Sequence, residues 1–403
     1  MNYVLLLGAI LSALVLIYNV SIFIIILYGK RSNQLIQKEE RKGTLSIIIP
    51  AKDEEEVIGS TLRHIDESNT DGLKEIVVVD DGSTDSTGRI AQSFDTKVLR
   101  TQGVGKVGAL NKGLTETTGD IVFVIDADTK ISSGVLQEAR TYFQDPTVGA
   151  ISPPIYTEGS TVLSWFQRVE YEMNDAVRRG LSALFGSDIW FFGAVSAYRG
   201  DWIRNRGFQS STVTEDSEIA VDIRKAGYKV LRLEKSYCVT KPCYTIREFI
   251  SQRIRWFQGG YQLLLQRGKE LFTISGGKFI TVTHWFWGLY SALFLPLLVY
   301  QLHYWLPSSN ILAYIFRWFT ILGPIQVLRN IPEGWLSIYN VFGVTTGLFM
   351  VPLLVTCISF RRRLQIEDIV VLLFYFPYTI YLNAAFTISI IKAMFQRKGT
   401  FKR

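Results

Sequence analysis

The chain has 403 residues, 48% of them hydrophobic and 13% aromatic, with 43 lysines and arginines against 36 acidic residues and a net charge of +7. That length holds one sizeable soluble domain plus several membrane spans. The positive charge does not point to nucleic acid: many of the basic residues flank apolar runs (Lys30, Arg31, Arg41, Lys42, Arg361, Arg362, Arg363, Arg397, Lys398, Lys402 and Arg403), a pattern suited to cytoplasmic loops and anionic lipid headgroups.

From Tyr3 to Tyr28 there is no charged residue, and the run ends at Gly29-Lys30-Arg31. It is long enough for one membrane helix (residues 1–30), and the basic residues behind it place the next segment in the cytoplasm. Residues 43–244 then alternate strands and helices. Strands are predicted at Leu45–Pro50, Glu75–Val79, around Lys97–Arg100 and at Ile121–Ile125, with helices starting near Glu55 and Lys106. Such alternation predicts a parallel, doubly wound α/β sheet with ligands at the carboxyl ends of its strands. Residues 245–270 read as an amphipathic helix lying along a membrane surface, with a core helix of the soluble domain as the alternative. Residues 278–394 carry candidate spans at Phe279–Tyr300, Ile311–Leu328, Ile338–Phe360 and Ile369–Ala393; three or four of them cross, and the side of the carboxyl terminus stays open. Cys238, Cys243 and Cys357 show no zinc-site spacing with His64, His284 or His303.

Three acidic constellations carry chemistry. Asp80-Asp81-Gly82-Ser83 follows a strand, where carboxylates can accept hydrogen bonds from a bound nucleotide; the same residues also suit a turn and helix cap. Asp126-Ala127-Asp128 ends an apolar strand, and two such carboxylates call for a hard divalent cation. Thr214-Glu215-Asp216 opens a helix, with Thr214 fitting its N-cap. The basic counterpart is Gln252-Arg253-Ile254-Arg255-Trp256, whose Gln252 and Arg255 share a helix face and suit a pyrophosphate, while Trp256 offers an apolar face to a sugar ring. Gly103-Val104-Gly105-Lys106-Val107-Gly108 matches a dinucleotide fingerprint, but it comes after a later strand and lacks a ribose-binding acid behind it, so its glycines are read as giving a nucleotide access to the backbone.

In this order the motifs resemble those of the processive membrane transferases of glycosyltransferase family 2, the cellulose, hyaluronan and poly-N-acetylglucosamine synthases: Asp80-Asp81, the D-x-D Asp126-Asp128, the T-E-D Thr214-Glu215-Asp216 and the Q-x-x-R-W Gln252-Arg255-Trp256. The stretch Gln252–Gly260 looks most like poly-N-acetylglucosamine synthases. Asp53-Glu54 replaces the usual Asn-Glu, and Phe191-Phe192-Gly193-Ala194 resembles an acceptor-side segment without its cysteine. The resemblance implies a GT-A, Rossmann-like α/β fold with transmembrane helices, in a multi-pass protein of the cell membrane with a cytoplasmic catalytic domain. It implies that Asp53, Asp80, Asp81, Lys106 and Asp126 bind the nucleotide of a UDP-sugar. Asp128 and Asp126 would hold Mg²⁺ or Mn²⁺; Gln252, Arg253 and Arg255 would clamp the diphosphate. Trp256, Glu215, Phe192 and Gly193 would meet a saccharide or glycolipid acceptor, and Asp216 would be the base. A small membrane accessory subunit is compatible with this pattern; nucleic acid is not. The rivals are a transferase adding a single sugar to a membrane lipid, a cellulose-like glucan synthase, and a catalytically dead sensor. Trp285, Trp287, Tyr290, Tyr300, Tyr304 and Trp305 either line a polysaccharide channel or form an aromatic belt at the headgroups.

Overall fold

Short apolar runs bounded by turn residues become the central strands of the computed structural model, which describes residues 3–31, 43–68, 71–305, 312, 354–356, 358 and 365–395. Leu45–Ala51 (β1), Leu73–Asp80 (β2), Lys97–Arg100 (β3), Ile121–Ile125 (β4), Val148–Ser152 (β6), Val195–Arg199 (β8) and Lys229–Arg232 (β9) form one sheet in the order β3-β2-β1-β4-β8-β6-β9. Thr129–Ile131 (β5), Ile155–Thr157 (β7) and Cys238–Thr240 (β10) form a second, small sheet. Strand β1 is apolar on both faces because both are covered. Leu45, Ile47 and Ile49 pack beneath Ile58–Glu67 (α2) and Val135–Tyr142 (α5), while Ile48 packs against Gly105–Leu114 (α4) on the other side. Thr87–Gln92 (α3) and Gly200–Arg206 (α7) are short helices that come directly after β2 and β8.

The expectation of a wholly parallel sheet is corrected at one strand. β1, β2, β3 and β4 are parallel, but β8 runs antiparallel to both β4 and β6. An antiparallel neighbour brings its own beginning to the end of the strand it pairs with. Ile125 pairs with Val195, and the Asp126 amide donates to the Ala194 carbonyl (2.8 Å), so the reversal lays Phe192-Gly193-Ala194 beside the D-x-D.

Val162–Phe185 (α6) holds the segment that enters β8. The Arg178 Nε donates to Asp188 (2.7 Å), and its other nitrogens donate to the Pro153 carbonyl (3.0 Å) and to Ser152. Its guanidinium also lies over the Phe192 ring, 4.9 Å from the centroid. Ile246–Leu271 (α9) starts with a reciprocal cap between Thr245 and Glu248, and is packed against Glu215–Lys225 (α8), Gly277–Trp305 (α10) and Ile366–Phe395 (α11).

Tyr3–Arg31 (α1) buries Leu11, Val15, Ile22 and Ile26 against α6 and α10, and leaves Ile10, Leu14, Ile17 and Ile24 exposed on its other face. Among the described residues one segment, Pro377–Phe395, is long and apolar enough by length and composition to cross a membrane; Ala13–Gly29 is a shorter apolar stretch. The spans expected at Ile311–Leu328 and Ile338–Phe360 lie almost wholly outside the described residues. Trp287 stacks edge-on to Tyr18 of α1 (5.1 Å between centroids), and Tyr290 is buried among α1 and α10 side chains, so these two rings serve helix packing. Trp285 is half exposed, and the side chains of Tyr300, Tyr304 and Trp305 lie outside the described set.

Breaking a buried ion pair by removing one partner strands the other charge. Asp188→Ala is therefore expected to lower stability by about 3–5 kcal/mol, read as the shift in urea unfolding of the detergent-solubilised protein. An unchanged midpoint would mean that Arg178 does not anchor the segment entering β8.

Candidate active site

The site forms where β4 ends, β8 begins, α4 and α8 start, and the side of α9 carrying Arg255 and Gly259 packs against the start of α8. At its centre the Lys106 ammonium, from the first turn of α4, bridges Asp126 Oδ1 (2.7 Å) and Glu215 Oε1 (2.8 Å). One cation thus ties β4 to α8. Burial pulls the Lys106 ammonium toward neutrality, but the Asp126 and Glu215 carboxylates overcome this and hold it firmly charged. Burial likewise raises Asp126, against the pull of Lys106 and with the help of Asp128. Glu215 is driven up by burial yet ends below its usual range, because Lys106, and to a smaller extent Arg255, favour its charged form.

Lys106 is delivered by a loop that Asp81 organises. The Asp81 carboxylate accepts from the Val104 amide (2.7 Å), the Gly105 amide (2.8 Å) and the Thr101 hydroxyl. Gly103 and Gly105 both take positive φ (74° and 80°), which glycine allows at little cost, so the glycine loop is a backbone turn shaped by a carboxylate. Asp80 is turned into its own loop, accepting from the Ser83 amide (2.8 Å). Asp53, the one non-glycine residue with positive φ among the described residues, accepts from the Thr84 amide (2.7 Å). The three carboxylates expected to meet a nucleotide each also accept backbone N–H bonds that brace their own loops.

Asp216 comes after Glu215 in the first turn of α8 and accepts from the Ser217 amide (2.7 Å). Burial first, then the Glu215 carboxylate, push its carboxyl up to about 6, with Lys106 opposing. Gly193 lies against it: a Cβ at that position would stand 2.7 Å from an Asp216 carboxylate oxygen. Thr214 precedes α8, but its hydroxyl makes no capping bond; it packs tightly against Gly259 of α9, where a side chain would collide with it. Asp126 and Asp128 offer oxygen ligands alone, the donor chemistry of a hard divalent cation. Among the described residues no group of three or more His, Cys, Asp or Glu is placed to enclose a metal, so the fit is to an ion that shares its coordination with a ligand such as a diphosphate.

The basic motif divides. Arg255 is half-buried on the Glu215 side. Arg253 does not join it: the side chain is fully buried and its guanidinium is held by Glu170 of α6 at 3.1 and 2.9 Å, so it is not available to a diphosphate. Two residues along a helix point to nearly opposite faces, which is why Arg253 and Arg255 part. Gln252 accepts from Arg253 through its carbonyl oxygen. Trp256 is half-buried, with Tyr171 edge-on to its ring at 6.4 Å. Tyr171, which no motif marks in the sequence, is half-buried behind Trp256: burial raises its phenol, Arg253 lowers it, and Glu170 adds to the rise.

Fold and site together define a glycosyltransferase of the GT-A type. Residues 46–206 match the profile of Glycosyl transferase family 2, and the chain carries a domain of that family. Over 401 residues it is 24% identical to a poly-beta-1,6-N-acetyl-D-glucosamine synthase of Staphylococcus epidermidis, covering 94% of this chain and 92% of that protein. A beta-monoglucosyldiacylglycerol synthase of Synechocystis is 30% identical over 237 residues, which is 54% of this chain and only 48% of that protein. Among solved structures, a mannosyltransferase from Pyrobaculum calidifontis in complex with GDP-Man and Mn²⁺ superposes with a TM-score of 0.58 at 18% identity, covering 96% of this chain and 99% of that one. At that identity the likeness concerns the fold.

This geometry has two testable consequences. A carboxyl whose pKa is raised by folding costs stability when charged, and the cost fades as pH falls through about 6 toward the ordinary carboxylate range. Asp216→Asn is thus expected to raise the melting temperature at pH 7.5 and to lose that gain near pH 4; a lower melting temperature at pH 7.5 would contradict the burial of a costly charge. Gly193→Ala is expected to leave the fold intact by circular dichroism while cutting sugar transfer by about a hundred-fold, because a 1 Å shift of a reacting group has that scale of effect.

Proposed function

We propose that the chain is an inverting β-glycosyltransferase that uses a UDP-sugar, with UDP-N-acetylglucosamine as the first candidate, to elongate a polysaccharide at the cytoplasmic face of the membrane and to extrude it. The observation that carries this reading is Asp216: a half-buried carboxyl pushed up to about 6, beside a lysine-bridged pair of acids and packed closely against Gly193. Similarity to the Staphylococcus synthase along 94% of the chain supports polymer synthesis and the N-acetylglucosamine donor.

In this mechanism the nucleotide of the donor lies against the loops braced by Asp53, Asp80 and Asp81, with its diphosphate near Asp126, Asp128, Lys106 and Arg255, and with Gln252 above. Asp126 and Asp128 would hold Mg²⁺ or Mn²⁺, which, when bound, stabilises negative charge on the departing diphosphate. Asp216 takes the proton of an acceptor hydroxyl resting on Trp256 beside Phe192 and Gly193. The freed oxygen bonds to the anomeric carbon from the face opposite the diphosphate. The bond from that carbon to the phosphate oxygen breaks, UDP leaves with the electron pair, and a single displacement inverts the centre. Lys106 keeps Asp126 and Glu215 compensated while Asp216 accepts the proton. Residues 43–244 form the catalytic unit. Residues 245–270, an interfacial helix, add Gln252, Arg255 and Trp256 to that unit, while residues 1–30 and 278–394 serve membrane attachment and passage, with three or four carboxyl-terminal spans and room for a small accessory subunit.

A second reading, transfer of one sugar to a membrane lipid, draws on the 30% identity to the Synechocystis lipid synthase over the catalytic half. A cellulose-like glucan synthase using UDP-glucose is the third. The test is UDP release by the purified enzyme in detergent with Mg²⁺ or Mn²⁺ and each donor separately, with the product sized on a gel. Metal-dependent release from UDP-N-acetylglucosamine with a high-mass product is expected, and release should rise as pH climbs through about 6, where Asp216 loses its proton. Asp216→Asn should lower transfer by roughly 10²–10⁴-fold. A lipid-sized product would favour the second reading, and full activity in Asp216→Asn would refute the assignment of the base.

A further inference from the structure

Arg253 is fully buried, yet it is the residue around which the acceptor side of the site is built. Its guanidinium makes two bonds to Glu170, at 3.1 and 2.9 Å, in the paired geometry that a planar fork allows. A further nitrogen donates to the Gln252 carbonyl oxygen. The flat cation also lies over two rings of its own helix, 4.4 Å from the Trp256 centroid and 4.6 Å from that of Phe249. Glu170 accepts a third bond, from the Tyr378 hydroxyl of α11. The Tyr378 ring is itself fixed, stacked on Phe166 at 5.0 Å and tilted against Phe249 at 5.2 Å. The chain of contacts therefore runs from α11 through Glu170 and Arg253 to the two side chains of α9 that face the site.

We propose that Glu170, Arg253 and Tyr378 are positioning residues that set the orientation of Trp256 and Gln252, so that the grip on the acceptor depends on how α11 is seated against the catalytic domain. This rests on the assignment of Trp256 as the acceptor platform. A side chain holds a productive orientation only when the groups behind it are locked, and here the lock is a compensated charge that cannot be shifted without leaving a partner bare. The segment Pro377–Phe395 is also the stretch with the length and composition of a membrane span, so the lock links the site to the bilayer-facing part of the chain.

The test uses the full-length enzyme in detergent and compares two rates: slow hydrolysis of the UDP-sugar without acceptor, and transfer to a short N-acetylglucosamine oligosaccharide. Tyr378→Phe keeps the ring packing and removes one hydrogen bond to a charged group. It is expected to raise the KM for the oligosaccharide about ten-fold while leaving hydrolysis and the KM for the donor unchanged. Glu170→Gln is expected to act in the same direction and more strongly. Arg253→Lys should not restore the wild-type acceptor KM, because an ammonium cannot bond Glu170 in paired fashion while lying flat on the indole. Equal losses of hydrolysis and transfer in Tyr378→Phe would reduce the cluster to a structural brace and overturn the proposal, as would an unchanged acceptor KM. Trp256→Ala separates this from the assignment on which it rests. If Trp256→Ala raises the acceptor KM and Tyr378→Phe does not, the positioning cluster alone fails; if Trp256→Ala leaves the acceptor KM unchanged, the platform itself is misassigned.

Discussion

The bridge from Asp126 through Lys106 to Glu215 is the interaction on which the site depends. Three half-buried charges, at the end of β4 and in the first turns of α4 and α8, would each be costly alone, since an ion partly withdrawn from water is best held with a partner. Together they leave a net negative charge where Asp216 is added, and that surplus is why burial and a like-charged neighbour raise Asp216. A carboxyl raised toward neutrality is thus a consequence of how the ends of one strand and two helices are arranged. The same arrangement sets the tolerance at Gly193 and Gly259, each of which approaches the T-E-D segment too closely for a side chain.

Helix α6 organises much of the remainder. Arg168 pairs with Asp368 of α11 (3.2 Å), Glu170 with Arg253 of α9, Asp175 with Arg232 of β9 (2.7 Å), and Arg178 with Asp188 before β8. Buried pairs add little net stability over apolar packing, but losing one partner is expensive, so each fixes one relative placement. The pairs reach the segment entering β8, the α9 motif and α11, and so hold these elements at fixed spacing around the end of β4. Small residues complete the contact with α1: a side chain at Gly29 would strike Gly180, so the two helices meet backbone to backbone.

Much of the fold was legible in the chain. Apolar runs such as Leu45–Ala51 and Ile121–Ile125 announce buried strands because both faces of the sheet are covered. The acidic motifs were legible too, since carboxylates at the ends of such strands are rarely placed there without a partner. What escaped was orientation. The sense of β8 is not written in its five residues, because hydrophobic runs look alike in either direction, and only pairing with β4 decides it. Arg253 and Arg255 have the same side chain two positions apart; their separation into a buried brace and a site-facing cation depends on which face of α9 meets α6.

By itself, then, the sequence determined the order of the first four strands and the helices between them, the four motifs and the chemistry open to them, because hydrophobic period, turn residues and residue type are local properties. It also marked Tyr3–Tyr28 and Ile369–Ala393 as apolar enough for lipid. Only the tertiary structure decided that Asp53, Asp80 and Asp81 bend inward to brace loops, that Lys106 joins two acids from separate elements rather than standing free, and that Glu170, Tyr171 and Tyr378 gather behind Trp256. The reason is physical: the charge state and partner of a side chain depend on what desolvates it, and that comes from segments far away in the chain.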